Sequence, residues 1–192
     1  MKEYKVVIKG KTPYMQHRMD DAKLEDWEKN RGKIIERDDV AKEDLIRALF
    51  HAYYDGKEDN PKFYIPSDQV RGAMINAGGM VKSKVGNSKK SMKNIVAGMF
   101  FIKEPKLYLP NSFEIDKRSA VNRNIKARVI SIRPKWVEWG AEFTLQIDND
   151  TITQSTVKDI IESAGNYIGV GSFRPQCNGM FGRFDLVELQ AL

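Results

Sequence analysis

A loop near the C-terminus combines the residue types that bind a single strand of nucleic acid. Between Gly169 and Phe184, glycines are interleaved with phenylalanines and arginines. Glycine lets a backbone approach a ligand closely, arginine binds phosphate through parallel hydrogen bonds, and phenylalanine offers a face on which a base stacks. The pattern therefore predicts nucleic-acid contacts at Gly171, Phe173, Arg174, Gly179, Phe181, Gly182 and Arg183.

The alternative for this loop is structural. The glycines would then only shape a tight connection between a helix and a strand, and the phenylalanines would lie in the core. Two other phosphate-binding motifs are excluded. The chain has no GxxxxGK[ST] sequence, and the glycine-rich segment precedes a predicted strand, whereas a dinucleotide fingerprint follows one.

His17 is the one candidate for acid–base chemistry. It follows a predicted strand, and it could act as the general base for attack by an RNA 2′-hydroxyl group. We interpret His51, beside Phe50 on a predicted helix, as structural. The carboxylates of residues 20–59 show no two-metal spacing, and the chain lacks an HExxH pair, a GxSxG elbow and a Cys/His nucleophile set. We therefore predict no metal, no cofactor and no committed catalytic residue.

The cations are unevenly distributed along the chain. Residues 20–59 hold 13 acidic and 8 basic residues, whereas the whole chain has a net charge of +6. The stretches 69–103 and 117–135 contain Lys and Arg but no acid. Clustered cations favour a polyanion because each neutralised phosphate releases counterions, although a solvated basic loop is the alternative. The further predicted nucleic-acid contacts are Arg71, Lys82, Lys84, Lys89, Lys90, Lys93, Arg123, Lys126 and Arg128.

Length and composition indicate one folded domain. The 192 residues are 41% hydrophobic and 30% charged, within the range of globular proteins. We predict a single domain over 1–192, with an acidic insertion at about 20–40 and a basic loop at about 82–94. No segment has the pattern of a membrane span or a secretion signal, and Cys177 has no partner for an intramolecular disulfide. We therefore expect a cytoplasmic protein that does not enter membranes.

Strands and helices alternate irregularly in the predicted order. This pattern favours an α+β fold with helices on one face of a sheet, and a ferredoxin-like (RRM-like) topology is the simplest that fits. The predicted elements are a strand at 4–9, a helix at 41–54, a helix capped by Ser67, a buried strand at 95–102, a hairpin within 125–147, a helix at 157–168 and a last strand from Gly182.

Two segments resemble motifs of the repeat-associated mysterious proteins (RAMPs), an RNA-binding superfamily that includes the Cas7-like backbone subunits of CRISPR complexes. FYIPSDQVRGAMINA, residues 63–77, resembles their IPxSxxxGxxR helix start, and GVGSFRPQCNGMFGRF, residues 169–184, resembles their glycine-rich loop. Asp68 and Gln69 replace the small residues of the first motif, and Arg71 lies earlier than its basic residue. The overall layout is also similar to small phage and prophage proteins.

This resemblance implies an RRM-like core with the glycine-rich loop against the nucleic-acid backbone. It also implies a thumb, for which residues 82–93 are the candidate, and a homo-oligomer or filament along the strand, with other CRISPR-type subunits as further partners. We predict a non-enzymatic protein that binds single-stranded nucleic acid, with RNA preferred over DNA. Two alternatives stay open: a metal-independent endoribonuclease of the same superfamily with His17 as base, and a phage protein that mimics a CRISPR subunit and blocks a host complex.

Overall fold

A computed structural model describes residues 1–18, 40–56, 60–85, 88–122 and 127–192. Within these ranges the protein belongs to the α+β class, as predicted, with four α-helices and antiparallel sheets. The helices are α1 (Val40–Phe50), α2 (Ser67–Gly78), α3 (Lys93–Met99) and α4 (Gln154–Ser163). The strands are β1 (Lys2–Gly10), β2 (Tyr14–Met15), β3 (Tyr54–Asp55), β4 (Lys62–Pro66), β5 (Lys82–Val85), β6 (Ser88–Ser91), β7 (Phe100–Ile102), β8 (Lys106–Tyr108), β9 (Glu114–Asn122), β10 (Ala127–Trp136), β11 (Gly140–Ile147) and β12 (Phe184–Ala191).

The largest sheet has four strands in the order β12-β1-β11-β7, and every neighbouring pair is antiparallel. Helix α2 lies between β1 and β7 in the chain, and α4 lies between β11 and β12. This order is consistent with the predicted ferredoxin-like arrangement of two split β-α-β units. Alternate residues of β1, namely Tyr4, Val6 and Ile8, are buried in a core cluster that also contains residues of α2 and α4.

A second sheet, ordered β2-β10-β9, is built on a long hairpin. Its two long strands pair from Glu114 with Lys135 to Asn122 with Ala127. The predicted hairpin within 125–147 is wrong, because β10 pairs with β9 and β2, whereas β11 pairs with β1 and β7. Trp136 and Trp139, at the break between β10 and β11, are both buried, and the chain passes from one sheet to the other there.

Two predictions for the middle of the chain are corrected. Within 82–94, the segment predicted as a loop forms the hairpin β5–β6, and Lys93 begins α3. Residues 95–102, predicted as a buried strand, are mostly helix and become strand only at Phe100. Val96 and Phe100 are buried four residues apart, while Phe101 is 45% exposed, so burial follows a helical period that a short apolar run does not reveal.

The predicted helix boundaries also shift. Helix α1 ends at Phe50 because Tyr54 enters a strand and pairs with Phe63. Ser67 is the first residue of α2 and makes no capping bond, since Pro66 is the residue that precedes the helix. The predicted acidic insertion, about 20–40, lies almost wholly outside the described residues. None of the described helices combines the length and apolarity needed to cross a membrane.

Candidate nucleic-acid interface

The two motifs singled out in the sequence meet at one cleft. The cleft has a volume of about 390 Å³ and lies between the start of α2 and the glycine-rich loop. Gly72 lines it, and a Cβ at this position would meet no atom within 4 Å, so there is open space beside this residue. The polar side chains on its walls belong to His17, Asp68, Gln69, Ser172, Arg174 and Gln176.

The glycine-rich loop is held in place by backbone hydrogen bonds to the segment around β2. The Ser172 N–H donates to the Met15 carbonyl over 2.8 Å, and the Gly182 N–H donates to the Pro13 carbonyl over 2.8 Å. The two arms of the loop also bind each other, since the Val170 N–H donates to the Gly182 carbonyl over 2.9 Å. The loop is therefore a fixed wall of the cleft.

Two of the predicted glycines are required by the loop itself. Gly182 has a φ of +68°, and a Cβ there would overlap the Val170 carbonyl oxygen. A Cβ at Gly179 would overlap the Phe173 carbonyl oxygen. The structural alternative therefore accounts for these two positions, and their contact with nucleic acid stays a prediction. Gly171 lines the cleft and is also required by the fold, because its φ is +75° and a Cβ there would overlap the Met15 carbonyl oxygen outside the loop.

The two phenylalanines of the loop lie against arginines of the β9–β10 hairpin. The guanidinium carbon of Arg118 lies 5.0 Å from the ring centre of Phe181 and 5.5 Å from that of Phe173. The guanidinium carbon of Arg133 lies 5.2 Å from the ring centre of Phe173. Both rings are partly exposed rather than sealed in the core. We call these four residues the arginine–phenylalanine cluster.

The two arginines of the cluster differ in their partners. Arg118 donates two hydrogen bonds to the Asp116 carboxylate, which raises the pKa of Arg118. Arg133 donates through Nη1 to the Ser172 hydroxyl over 2.8 Å, its Nε is buried without a partner, and no described carboxylate lies within ion-pair distance. Burial lowers the pKa of Arg133, and the charge of Asp116, its neighbour across the hairpin, opposes part of this shift. A partly buried cation without a paired carboxylate costs folding free energy unless a ligand neutralises it.

His17 lies on the wall of the cleft with its ring stacked on His51, the ring centres being 4.7 Å apart. Loss of surrounding water, and then the charges of Arg133 and His51, lower the pKa of His17 to about 4. His17 is therefore neutral at pH 7. An imidazole with so low a pKa is a weak general base, because general-base catalysis is most efficient with a pKa near the working pH.

The lysines of β5–β6 lie at the other end of α2 from the cleft. The Met92 N–H and the Ser91 hydroxyl both bind the carbonyl of Gly78, the last residue of α2. Because a helix rises 1.5 Å per residue, about 9 Å separates this point from Gly72 in the cleft. In the register of the hairpin, position 84 is paired with Lys89. The exposed lysines of this group with no ion pair to any described residue are Lys82, Lys89 and Lys90, and the same is true of Lys93 at the start of α3.

Among the described residues, the other predicted cations do not line the cleft. Arg71 donates to the carbonyls of Phe100, over 2.9 Å, and of Ala97, and so ties α2 to the end of α3. Arg128 is exposed opposite Val121, and strand alternation puts it on the other face of β10 from Arg133. Arg183 is joined through its backbone N–H to the Thr12 hydroxyl, and its Nε is buried without a partner. Arg123 and Lys126 fall outside the described residues.

Sequence reasoning did not select Arg118 and Arg133 as site residues. Both lie in the acid-free stretch 117–135, which was the available signal. In the observed register Arg118 is opposite Ser131, so the two arginines share one face of the β9–β10 hairpin. The sequence analysis predicted a hairpin within 125–147, which pairs the β10 segment with the β11 segment. The pairing of β10 with β9, which brings Arg118 and Arg133 to one face, was therefore not predicted.

No family model matches the chain, and no curated protein matches it. Among solved structures, one chain of the cryo-EM structure of the Type III-B Cmr-beta bound to cognate target RNA is similar, with a TM-score of 0.55 and 11% sequence identity. The match covers 100% of this chain and 60% of that chain, so this protein spans less than two thirds of its neighbour's length. At this identity, the comparison shows that this protein shares its fold with that chain.

Proposed function

We propose that the chain binds single-stranded RNA along the cleft and the arginine–phenylalanine cluster, without cleaving it. The observation that carries this proposal is Arg133, a partly buried cation with no carboxylate partner among the described residues, placed between Ser172 of the cleft wall and the ring of Phe173. Asp116, opposite Arg133 in the hairpin, binds Arg118, so a phosphate group bound there would supply the direct ion pair that Arg133 lacks.

Arg174 provides a second phosphate contact at the same wall. Its Nη1 donates to the Gly171 carbonyl over 3.1 Å and its Nε donates to Gln176 Oε1 over 3.2 Å. A guanidinium group has five N–H donors, so these two bonds hold the side chain in place and leave donors for a phosphate. The described residues include no ion pair of Arg174 with a carboxylate.

The rings of Phe173 and Phe181 supply faces for bases next to these cations. Stacking of a base on an aromatic side chain contributes about 1–3 kcal/mol and tolerates any sequence. Arg118 already lies over both rings, so a base would either stack on the other face of a ring or displace the arginine from it. Its hydrogen bonds to Asp116 would keep the displaced Arg118 close to the strand.

The fold shared with a chain of an RNA-bound structure favours RNA over DNA as the ligand. It supports a Cas7-like member of the RAMP superfamily, for which we also propose a cytoplasmic location, assembly with other CRISPR-type subunits and side-by-side copies along one strand. The lysines of β5–β6 would contact the strand beyond the end of α2, as the thumb or clamp. A phage origin and a blocking role remain predictions.

Binding of labelled RNA at several salt concentrations tests the proposal. We expect the affinity of a 5′-labelled RNA 12-mer to fall steeply as salt rises, because cations that neutralise phosphates release counterions. The protein should also co-purify with nucleic acid when no nuclease is added, and the length of that nucleic acid would report the site size. Binding that does not depend on salt, or no binding to any oligonucleotide, would contradict the proposal.

A further inference from the structure

Two adjacent residues determine the polarity of the α2 side of the cleft. Asp68 and Gln69 stand where the resembled motif has small residues, and both side chains line the cleft. Asp68 is exposed and makes no side-chain hydrogen bond or ion pair with any described residue. Its carboxylate oxygens are therefore available as acceptors in a cleft whose other wall carries Arg174.

The side chain of Gln69 is oriented by a hydrogen bond from a buried residue. The hydroxyl of Tyr14, which is fully buried, donates to Gln69 Oε1 over 3.0 Å. Burial raises the pKa of Tyr14, so this hydroxyl keeps its proton and remains the donor. With its oxygen held in this way, Gln69 presents the two N–H groups of its amide as donors. The wall thus carries a carboxylate acceptor next to an amide donor.

The acceptor and donor types of this pair are those that the Watson–Crick edge of guanine requires. That edge presents the O6 acceptor followed by two adjacent donors, N1–H and the N2 amino group. A carboxylate accepts two parallel N–H bonds, as it does from arginine, and the neighbouring amide can donate to O6. Adenine and cytosine each present one amino group beside an unprotonated ring nitrogen. Uracil presents one N–H between two carbonyls. Each of these bases can therefore donate to only one carboxylate oxygen, and its neighbouring lone pair repels the other.

We propose that the cleft is a guanine-selective pocket that takes one unstacked base of the bound strand, with Asp68 accepting from N1 and N2 and Gln69 donating to O6. The volume of about 390 Å³ is within the range of small-molecule sites. Single-stranded RNA is read in this way, by hydrogen bonds to the edges of splayed bases. The inference rests on the proposed function, since the strand must first lie along the cleft.

The test compares RNA 12-mers that differ at one base. Fluorescence anisotropy would give the affinities for an all-adenosine 12-mer and for the same strand with one central guanosine or one central inosine, which lacks the N2 amino group. A bidentate contact to a base discriminates by about 1–3 kcal/mol, so the guanosine strand should bind about 5- to 150-fold more tightly than the adenosine strand. The inosine strand should lie between them. This comparison needs no variant protein.

Asp68→Asn should bring the ratio of guanosine to adenosine affinities close to one. The matched control is Asp159→Asn, which removes the same charge from an exposed position on α4 away from the cleft. Equal affinities for the three strands in the unmodified protein would overturn the guanine pocket and leave RNA binding intact. A guanosine preference that survives in Asp68→Asn would also overturn it. No binding to any of the strands would overturn both proposals.

Discussion

The guanidinium of Arg133 stacks on the ring of Phe173, 5.2 Å from its centre, although the two residues are 40 positions apart in the chain. The contact joins the β9–β10 hairpin to the glycine-rich loop at the edge of the cleft. A cation on an aromatic face gains about 0.5–2 kcal/mol, which offsets part of the cost of burying the charge. A bound anion would offset the remaining free-energy cost of burying the charge of Arg133.

Arg133→Gln should weaken RNA binding and leave the fold intact. Loss of one phosphate contact should lower the affinity about tenfold and flatten the slope of log affinity against log salt by about one unit. The melting temperature should stay the same or rise, because the variant removes a partly buried unpaired charge. The control is Lys158→Gln, which removes an exposed cation of α4. An unchanged slope in Arg133→Gln would contradict the assignment.

Phe181→Leu should lower RNA affinity by about 1–3 kcal/mol, the range measured for loss of one base-stacking contact. The salt slope should not change, because no phosphate contact is removed. Phe101→Leu is the matched control, since this phenylalanine is 45% exposed on β7 and also lies beside an arginine, Arg71, but outside the cluster. Equal effects of the two substitutions on titrations of labelled RNA would argue against stacking at Phe181.

Two glycine substitutions should have opposite effects on stability. Gly72→Ala should raise the free energy of unfolding by up to about 1 kcal/mol, because alanine is the better helix former and its Cβ meets no atom. Gly182→Ala should lower it by about 1–3 kcal/mol, since φ is +68° there and the Cβ would meet the Val170 carbonyl. Urea titration would measure both. Destabilisation by Gly72→Ala would contradict the conclusion that there is open space beside Gly72 in the cleft.

Filling the cleft should block RNA without unfolding the protein. Gly72→Trp adds a large side chain in the open space beside this residue, whereas Gly98→Trp adds the same group to α3, where a Cβ also meets no atom and no cleft residue lies. We expect only the first to weaken binding of the labelled 12-mer, with both variants retaining a cooperative thermal transition. Comparable binding by the two variants would show that the strand does not use the cleft.

The lowered pKa of His17 predicts how stability depends on pH. The folded protein protonates His17 only near pH 4, whereas the unfolded chain protonates it near 6.5, so between these values the unfolded state binds more protons. Stability should therefore rise as the pH increases from about 4 to 6.5 and should lose this dependence above it. Melting temperatures of the unmodified protein and of His17→Gln test this, and the variant should show a weaker dependence. An identical pH profile would contradict it.

RNA incubated with the protein and a chelator should remain uncleaved. His17 is a weak base, and the nearest imidazole, His51, also has a lowered pKa and binds the Arg18 carbonyl through Nδ1 over 3.0 Å. Gel analysis of end-labelled RNA in EDTA provides the measurement. Products that persist in EDTA and disappear in His17→Ala would instead support the ribonuclease alternative.

Local sequence patterns were sufficient for elements that can be recognised without knowing which other strands or helices they contact. Strand β1 and helix α4 were recognisable because their buried residues recur at strand spacing (Tyr4, Val6, Ile8) and at helix spacing (Val157, Ile160, Ile161). Strand β12 was recognisable from its apolar residues, although only Phe184 is buried. The pairing of β9 with β10 was missed because β9 is polar and lacks a clear alternation, so the β10 segment was assigned to a hairpin within 125–147. In such strands the pairing is determined by contacts between distant segments, which no local window contains.

The sequence by itself determined that a glycine-, arginine- and phenylalanine-rich loop would precede the last strand and that cations would be concentrated in two stretches. Only the tertiary structure decided which cations reach that loop. It placed Arg118 and Arg133 on the phenylalanine rings, used Arg71 to join two helices and left the lysines at the far end of α2. The physical reason is that side-chain type depends on one residue, whereas the partner of a charge depends on strand register and helix packing across the whole chain.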